Sequence, residues 1–235
     1  MAATVTLNGA ELTLDPSGAV WWAERSTLAV ADLHLEKGSG FARQGRLLPP
    51  YDTRATIARL AVVLRRYRPA RVVALGDSFH DQEALARMDA ADLALLQRLV
   101  AEHDWVWIAG NHDPAPSRGL GGTVRADLAL APLVFRHEPE AGHVDGEVCG
   151  HFHPKAAVRA RGRRISGRCF VTDGGRLVLP AFGSYTGGLD ALDPAISELF
   201  EGQVRVYLIG RDAIYLFAAE RLEGVRRSEP AASVR

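Results

Sequence analysis

The chain of 235 residues lacks most features that mark secreted, membrane-bound or strongly charged proteins. Its two cysteines, Cys149 and Cys169, are too few for a disulfide framework and indicate free thiols in a reducing compartment. No apolar run approaches the roughly 18 residues that a membrane-spanning helix needs, and no basic segment followed by an apolar one opens the chain. Lys and Arg number 28 together, as do Asp and Glu, so the overall charge selects no class of partner. We therefore expect a soluble cytoplasmic protein.

Nearly half of the chain (47%) is hydrophobic, which suffices for the core of one large domain. Helical spacing predicts one helix from a candidate N-cap at Asp52 to the residue before Pro69, and more helix over residues 85–99. Residues 35–51 are rich in glycine and proline and are predicted to be a loop. Strand patterns are found at residues 5–14 (a hairpin turning at Asn8-Gly9), 20–22, 27–31, 72–75, 105–108, 133–135, 147–149, 168–171, 177–179, 204–208 and 213–217.

These patterns change character at Pro154. Before it, strands alternate with helices or long loops, which predicts a layered α/β arrangement. After it, strand patterns follow one another, which predicts a second, more antiparallel sheet packed against the first. We expect an α/β fold of two packed sheets with helices outside, as a single domain over residues 1–222 followed by a disordered polar tail over 223–235.

Five short motifs carry oxygen or imidazole groups, and four of them end an aliphatic or β-branched run. An α/β sheet places its functional groups at such strand ends. In chain order the motifs are Asp32-Leu33-His34, Gly76-Asp77, Gly110-Asn111-His112-Asp113, the isolated His137 and Gly150-His151-Phe152-His153. Together they supply seven candidate metal ligands: Asp32, His34, Asp77, Asn111, His137, His151 and His153.

Seven ligands suit two divalent metal ions that share one carboxylate. Asp77 is the natural bridge, because an aspartate can offer one oxygen to each ion. The mixture of carboxylate, amide and imidazole groups without a thiolate favours Mn, with Zn and Fe as alternatives. A water or hydroxide held between two such ions becomes a nucleophile near neutral pH, which indicates hydrolysis of phosphate esters.

One ligand has a competitor six residues further along the chain. An apolar strand leads to His137, whereas the Ala141-Gly142 pair before His143 is typical of a turn. We therefore prefer His137 and keep His143 as the alternative.

The order of the five motifs resembles that of the calcineurin-like metallophosphoesterase superfamily, over residues 32–153. More narrowly, residues 31–38, 76–81 and 150–154 resemble the bacterial ligase-associated DNA-damage-response phosphoesterases, the PdeM family. The resemblance implies a four-layer α/β/β/α sandwich of two packed mixed sheets. It also implies phosphodiester hydrolysis by a metal-bridged hydroxide, as an endonuclease on DNA or RNA in repair or end processing, with DNA ligase and helicase partners.

The resemblance also implies a role for each residue. The first metal would be held by Asp32, His34, His153 and the bridging Asp77, and the second by Asn111, His137, His151 and again Asp77. The catalytic His112 would lie beside the scissile phosphate, stabilising charge or protonating the leaving oxygen. Asp113 would orient its imidazole through a hydrogen bond.

The chain departs from the superfamily after its second motif. Many phosphatases there continue with Asp and Arg, but this chain has Ser78-Phe79-His80-Asp81. The absent arginine puts a protein-phosphatase activity in doubt. It makes His80 a candidate contact to phosphate or leaving group, with a structural role as the alternative.

Two basic segments favour a polyanionic substrate. One follows the first motif, and the other spans residues 155–168 and contains no acid. For the second segment the alternative is a solvated hairpin turning at Gly162. The candidate phosphate contacts are Lys37, Arg43, Arg46, Arg159, Arg161, Arg163 and Arg164.

Two other functions remain open from the sequence. A phosphomonoesterase or nucleotide phosphatase would use the same ligands. A non-catalytic scaffold that recruits a ligase or helicase would be expected to lose ligands, and none is missing here.

Overall fold

The computed structural model describes residues 1–115, 119–160 and 162–225. In its first sheet the strands lie side by side in chain order. The first four pair antiparallel and the last four pair parallel, so one strand belongs to both sets. The strands are β1 (Ala3–Leu7), β2 (Ala10–Leu14), β3 (Val20–Trp22), β4 (Thr27–Ala31), β5 (Arg71–Leu75), β6 (Asp104–Ile108) and β7 (Thr123–Arg125).

The second sheet begins earlier than the sequence predicted. It already includes Asp127, well before Pro154, because the strands that lead to His137 and His151 belong to it. Its strands are β8 (Asp127–Leu130), β9 (Leu133–Arg136), β10 (Glu147–Cys149), β11 (Lys155–Ala160), β12 (Arg163–Thr172), β13 (Arg176–Val178), β14 (Arg205–Ile209), β15 (Ile214–Ala218) and β16 (Leu222–Glu223). Their order is β15-β14-β12-β13-β10-β9-β8, with β11 pairing to β12 and β16. The β9–β10 and β10–β13 pairs are parallel, and the others are antiparallel.

The predicted tail starts too early for this structure. Glu223 pairs with Ala157 of β11, and the backbone N–H of Val225 donates to the Asp190 carboxylate. The fold therefore includes residues 223–225. The remainder of the predicted tail, residues 226–235, lies outside the described residues.

The helices are α1 (Lys37–Arg43), α2 (Asp52–Tyr67), α3 (Ala84–Arg87), α4 (Ala90–Ala101) and α5 (Pro194–Ser197), with a 3-10 turn at Ala219–Arg221. The prediction of loop over residues 35–51 was wrong, because α1 lies within it. The predicted N-cap of α2 was also wrong. Asp52 lies in the first turn of α2, and its Oδ2 accepts a hydrogen bond of 2.9 Å from the Gly38 backbone N–H. This tertiary bond ties the start of α1 to the start of α2.

Three hydrophobic clusters fill the spaces between the layers of the molecule. Alternate residues of a strand face opposite sides, and β4 shows this clearly. Leu28 and Val30 pack with α2 and α4, while Ala29 and Ala31 pack against the second sheet. The outer face of the second sheet is covered by a thin layer around Ile196 of α5. The result is an α/β/β/α sandwich of two mixed sheets.

Among the described residues, no helix is both long enough and apolar enough to span a bilayer.

Candidate metal centre

The ligand candidates meet where strands of both sheets end. Asp32 and Asp77 follow β4 and β5 of the first sheet, and His137 follows β9 of the second. The two sheets face each other, so their strand ends share one edge of the sandwich. The chain therefore builds the cluster across the interface between its sheets.

One end of the cluster contains Asp32, His34 and His153, whose ligand atoms can hold a metal ion. The Nε2 atoms of His34 and His153 are 3.2 Å apart. The Oδ1 atom of Asp32 lies 3.3 Å from Nε2 of His153. This oxygen is buried and accepts no hydrogen bond from the described residues, while Oδ2 accepts one of 3.0 Å from the His151 backbone N–H.

The other end contains His137 and His151. Nε2 of His137 lies 3.3 Å from Nδ1 of His151. The Nδ1 atom of His137 is 3.0 Å from the Leu75 carbonyl oxygen and donates to it, which leaves Nε2 with its lone pair. A ligating histidine typically fixes its other nitrogen in this way.

The carboxylate of Asp77 lies between the two ends. Its Oδ2 is 3.8 Å from Nε2 of His34, and its Oδ1 is 3.5 Å from Nε2 of His137. Each oxygen therefore faces a histidine of a different end. This is the arrangement that a bridging carboxylate needs.

Two motif glycines allow the sheets to approach this closely. A Cβ on Gly76 of the first sheet would lie 2.4 Å from ring atoms of His137 in the second. A Cβ on Gly150 of the second sheet would lie 2.6 Å from Oδ2 of Asp32 in the first. Both positions exclude any larger residue because ligands of the facing sheet occupy the space.

The backbone is strained at five of the seven candidate ligands. Positive φ values are found at Asp32 (55°), His34 (42°), Asp77 (45°), His151 (72°) and His153 (51°). A non-glycine residue in this region costs about 1 kcal/mol or more, and such residues cluster at functional sites. Backbone hydrogen bonds hold the strained turns in place, among them one of 2.9 Å from the His34 N–H to the Asp77 carbonyl oxygen.

The protonation of the histidines suits metal binding. Burial, reinforced by the charges of His153 and Lys37, lowers the pKa of His34 to about 2. Burial, with His137 second, lowers the pKa of His151. Both imidazoles are therefore neutral at neutral pH and offer lone pairs, as metal ligation requires. The Oδ1 atom of Asp32, which has no hydrogen-bond partner in the described part of the chain, lies among these imidazole lone pairs. Together these atoms form a set of acceptors that a divalent cation fits.

Asn111 and His143 differ in their relation to the cluster. Asn111 is exposed and lines a cavity of about 320 Å³ together with His137. His143 is exposed and lies 3.2 Å from Oδ1 of Asp145, away from the other candidates. The structure thus brings His137, and not its competitor, to the cluster.

The structure orients His112 differently from the expectation. Its Nδ1 is 3.0 Å from the His80 carbonyl oxygen, and its ring stacks on that of His80 with a centroid distance of 5.6 Å. The predicted hydrogen bond from the His112 ring to the Asp113 carboxylate is absent. The Oδ2 of Asp113 accepts from the backbone N–H groups of Ser78 (2.9 Å) and Phe79 (3.1 Å) instead, so Asp113 fixes the turn that carries Asp77. Burial, followed by the nearby Asp77 charge, raises the pKa of Asp113 to about 7 even though amide hydrogen bonds oppose the shift.

The imidazole of His112 is directed at the cluster. Its side chain is 48% exposed, its backbone N–H donates to Oδ1 of Asp77 at 2.9 Å, and its Nε2 lies 4.0 Å from Oδ2 of Asp77. Because Nδ1 donates to the His80 carbonyl, Nε2 remains available to a group bound at the cluster.

The predicted phosphate contacts separate into distinct groups. The side chain of Arg43 pairs with Glu83, and Arg159 pairs with Glu223. The segment 155–168 forms a β11–β12 hairpin, in which Gly162 has a φ of 74°, so the structure favours the hairpin alternative there. Arg46 and Arg163 are exposed, Arg164 pairs with Glu223 as well, and Arg161 lies outside the described residues.

Lys37 is the predicted contact that lies beside the cluster. Burial lowers its pKa, while the nearby carboxylates of Asp77 and Asp52 oppose that shift. The charge of Lys155 adds to the lowering, which places that residue nearby as well. The sequence places Lys155 in the basic segment over residues 155–168, but it was not among the candidate phosphate contacts. The scarcity of lysine in this chain could have revealed it.

The facing strand ends of two packed sheets, with their aspartates and histidines, define a metallophosphoesterase. The chain belongs to the calcineurin-like phosphoesterase family, which it matches over residues 26–176. It is also similar to the crystal structure of Pseudomonas putida nuclease MPE, with 29% identity and a TM-score of 0.73, covering 92% of this chain and 100% of that one. The E. coli phosphoesterase YfcE is 14% identical with a TM-score of 0.41, covering 82% of this chain and 98% of that one. A comparison with curated proteins gave no match.

Proposed function

We propose that this phosphoesterase hydrolyses phosphodiester bonds in nucleic acid, with DNA as the favoured substrate, and that it acts as an endonuclease. One observation carries the hydrolytic part. Asp77 presents one carboxylate oxygen to the end formed by Asp32, His34 and His153, and the other to the end formed by His137 and His151. The nucleic acid part is supported by the similarity to a protein described as a nuclease, over 92% of this chain.

The ligand sets follow the two ends of the cluster. Asp32, His34 and His153 would hold one ion, His137, His151 and Asn111 the other, and Asp77 would serve both. When bound, two divalent ions, with Mn favoured, supply an acidified water as nucleophile and positive charge for the phosphoryl oxygens. The strained turns hold the ligands in place, which lowers the reorganisation needed on binding.

His112 has the geometry for a proton donor to the leaving oxygen. Its Nδ1–H is fixed by the His80 carbonyl, so its Nε2 faces the cluster. A protonated Nε2 can stabilise charge on a phosphoryl oxygen or protonate the departing alkoxide. The exposure of this ring leaves room for a substrate much larger than a small ester.

The ring of His80 stacks on the ring of His112 and limits its movement. A Cβ on Gly40 would lie 2.6 Å from Cδ2 of His80, so α1 covers the far side of this ring. His80 therefore positions His112 through both its carbonyl oxygen and its ring. We propose this positioning role in place of a direct contact with phosphate.

A phosphomonoesterase or nucleotide phosphatase activity on the same cluster is the second candidate. The ligand set by itself serves both reactions. The absence of an arginine after Gly76-Asp77 and the exposed position of His112 favour the diesterase. A scaffold without catalysis has less support, because the structure brings the titratable ligands together.

The proposed setting is DNA repair or end processing, with a DNA ligase and a helicase as partners. This part rests on the resemblance of the flanking residues 31–38, 76–81 and 150–154. Affinity purification of the tagged chain from its native cells, before and after DNA damage, tests it. Recovery of neither enzyme under either condition would count against the repair setting.

The deciding experiment compares bis-p-nitrophenyl phosphate with p-nitrophenyl phosphate, with Mn²⁺ added or chelated. We expect Mn-dependent cleavage of the diester, followed by nicking of plasmid DNA. The Asp77→Asn variant should bind both ions more weakly and lose turnover. Asp104→Asn, which changes an exposed aspartate paired with Arg71, serves as the matched control. A preference for the monoester would move the assignment to a phosphatase, and inactivity of the metal-loaded chain would favour the scaffold.

A further inference from the structure

Lysine is almost absent from this chain, and both lysines lie at the metal centre. Of the 28 basic residues only Lys37 and Lys155 are lysines, and all others are arginines. Lys37 opens α1 three residues after His34, and Lys155 opens β11 two residues after His153. Because Nε2 of His34 lies 3.2 Å from Nε2 of His153, the two lysines flank the same end of the cluster from opposite sheets.

Among the described residues, neither ammonium group forms an ion pair within 4.0 Å of a carboxylate. Both lysines are partly buried. The Nζ atom of Lys37 lies 5.9 Å from the centre of the Phe41 ring, which is its specific contact. Burial lowers the pKa of Lys37, the charges of Asp77 and Asp52 oppose that shift, and the charge of Lys155 adds to it. Two neighbouring ammonium groups that form no close ion pair can both donate hydrogen bonds to an anion that binds between them.

The opposite end of the cluster carries the opposite charge. The cavity of about 320 Å³ beside Asn111 and His137 is lined by the carboxylates of Asp127 and Glu138. The cation in that lining, Arg136, is paired with Glu140 and Glu147. A phosphate is therefore repelled at the His137 end and attracted at the His34 end.

We propose that Lys37 and Lys155 form a binding site for a second phosphate, the one adjacent to the phosphate that lies at the metal centre. This inference rests on the proposed function and narrows its substrate class to chains of phosphodiesters. The neighbouring phosphate lies on the His34 side, so the substrate enters the site in one direction. Lysine suits this position, because its compact charge on a flexible stem follows a phosphate that shifts during turnover.

The first test measures binding without turnover. A fluorescein-labelled thymidine oligonucleotide is titrated into the protein in excess EDTA, and its anisotropy is followed at several salt concentrations. We expect Lys37→Met and Lys155→Met each to weaken binding about tenfold. Each change should also reduce the slope of log affinity against log salt by about 0.7, the value for one phosphate contact on a single strand. Lys→Arg at either position should restore most of the affinity, because it restores the charge.

Arg65→Met is the matched control for loss of one positive charge. Arg65 is exposed on α2, and no carboxylate of the described residues pairs with it. It should leave both the affinity and the salt slope unchanged. Equal weakening by Arg65→Met would show a general charge effect and would overturn the assignment of a specific site.

The second test compares a substrate with one phosphate to a substrate with several. At saturating Mn²⁺, the two lysine variants should lose at least fivefold more kcat/KM on the oligonucleotide than on bis-p-nitrophenyl phosphate. Their kcat/KM for the oligonucleotide should fall at least tenfold. Parallel losses on both substrates would assign the lysines to the scissile phosphate and overturn the inference.

Chemical labelling tests the same phosphate site without a substitution, because it measures whether the oligonucleotide protects the lysine amines. An acylating reagent in limiting amount modifies Lys37, Lys155 and the terminal amine of Met1, and mass spectrometry separates the three. The oligonucleotide should protect both lysines and leave Met1 unprotected. Unchanged labelling of the lysines would refute the inference. If the chain proves inactive on every ester, the proposed function fails, while the binding and labelling results still decide on the phosphate site.

Discussion

Replacing Gly76 with alanine should damage the metal centre more than it damages the fold. Gly76 has a φ of +68°, and a Cβ at this position would lie 2.4 Å from Cγ and Nδ1 of His137. Ordinary van der Waals contact begins at 3.4 Å. The imidazole or the turn around Asp77 must therefore move by about 1 Å, and either movement separates the Asp77 carboxylate from His137.

Two effects contribute to the expected magnitude. Alanine in the left-handed region costs about 1–2 kcal/mol, which in a chain of this size lowers Tm by roughly 2–8 °C. A displacement of about 1 Å in the reacting geometry costs about 100-fold in rate. We therefore expect a moderate loss of stability together with a loss of activity of about two orders of magnitude.

Gly45→Ala separates these two effects. Gly45 has a φ of +75°, close to that of Gly76, but a Cβ there meets nothing within 4 Å. It carries the same backbone strain without the collision. Urea unfolding, Mn bound per chain and turnover of bis-p-nitrophenyl phosphate should be measured for both variants. If Gly76→Ala matched Gly45→Ala in all three measurements, the close approach of Gly76 to His137 would not matter for metal binding or turnover. The proposal that Gly76 is required because His137 occupies the space of a Cβ would then be refuted.

Three further predictions address the catalytic histidine, a buried ion pair and an acid-sensitive carboxylate. His112→Ala should retain both metal ions and lose turnover by 10²-fold or more, and metal analysis beside the turnover assay checks this; equal loss of metal would make His112 a ligand. Arg176→Met removes the buried guanidinium that contacts Oε2 of the fully buried Glu147 and leaves Arg136, 3.4 Å from Oε1, as its remaining cation. This change should lower the free energy of unfolding by about 3 kcal/mol in urea, and a loss below about 1 kcal/mol would contradict the pairing. Burial raises the pKa of Asp15, but hydrogen bonds from its neighbours outweigh that effect, and the net pKa lies below the usual value. Its stabilisation is therefore present at neutral pH and is lost as the pH falls through the folded-state pKa, so Asp15→Asn should be less stable at pH 7 and should flatten the acid limb of a stability profile.

Most strands and the terminal motifs were predictable because both signals are local, whereas β7, β8 and β16 were not predicted. A run such as residues 27–31 is buried throughout in the structure, and its continuous apolar character already indicates this. Asp32 follows it directly, so the position of the strand end determines the position of the ligand. The same reasoning placed Asp77 and His137. The separation of the strands into two sheets was harder, because no local pattern distinguishes β9 from a strand of the first sheet.

Helix α1 could not be predicted from local pattern. Two glycines lie within its seven residues, and helix propensity disfavours them. Tertiary contacts stabilise it instead. The Asp52 carboxylate accepts from the backbone N–H of Gly38, and Nε of Arg87 donates to Oγ of Ser39 at 3.1 Å. These contacts place Lys37 at the cluster, so a functional position depends on residues 15 and 50 positions further along the chain.

His80, rather than Asp113, accepts the hydrogen bond that orients His112, and this too depends on tertiary contacts. The family resemblance implied that Asp113 would hydrogen-bond to His112, but neighbouring side chains on a tight turn diverge. The carboxylate of Asp113 instead reaches the backbone of Ser78 and Phe79, and the carbonyl oxygen of His80 reaches back to His112. The loop that follows β5 and the loop that follows β6 therefore stabilise each other. Asp113 of the second loop accepts hydrogen bonds from the backbone of the first, and the His80 carbonyl oxygen of the first accepts one from the His112 ring of the second. It follows that His112→Ala should leave the Asp77 turn intact, whereas Asp113→Ala, which removes the acceptor for both amides, should disturb Asp77 and reduce metal binding as well as turnover.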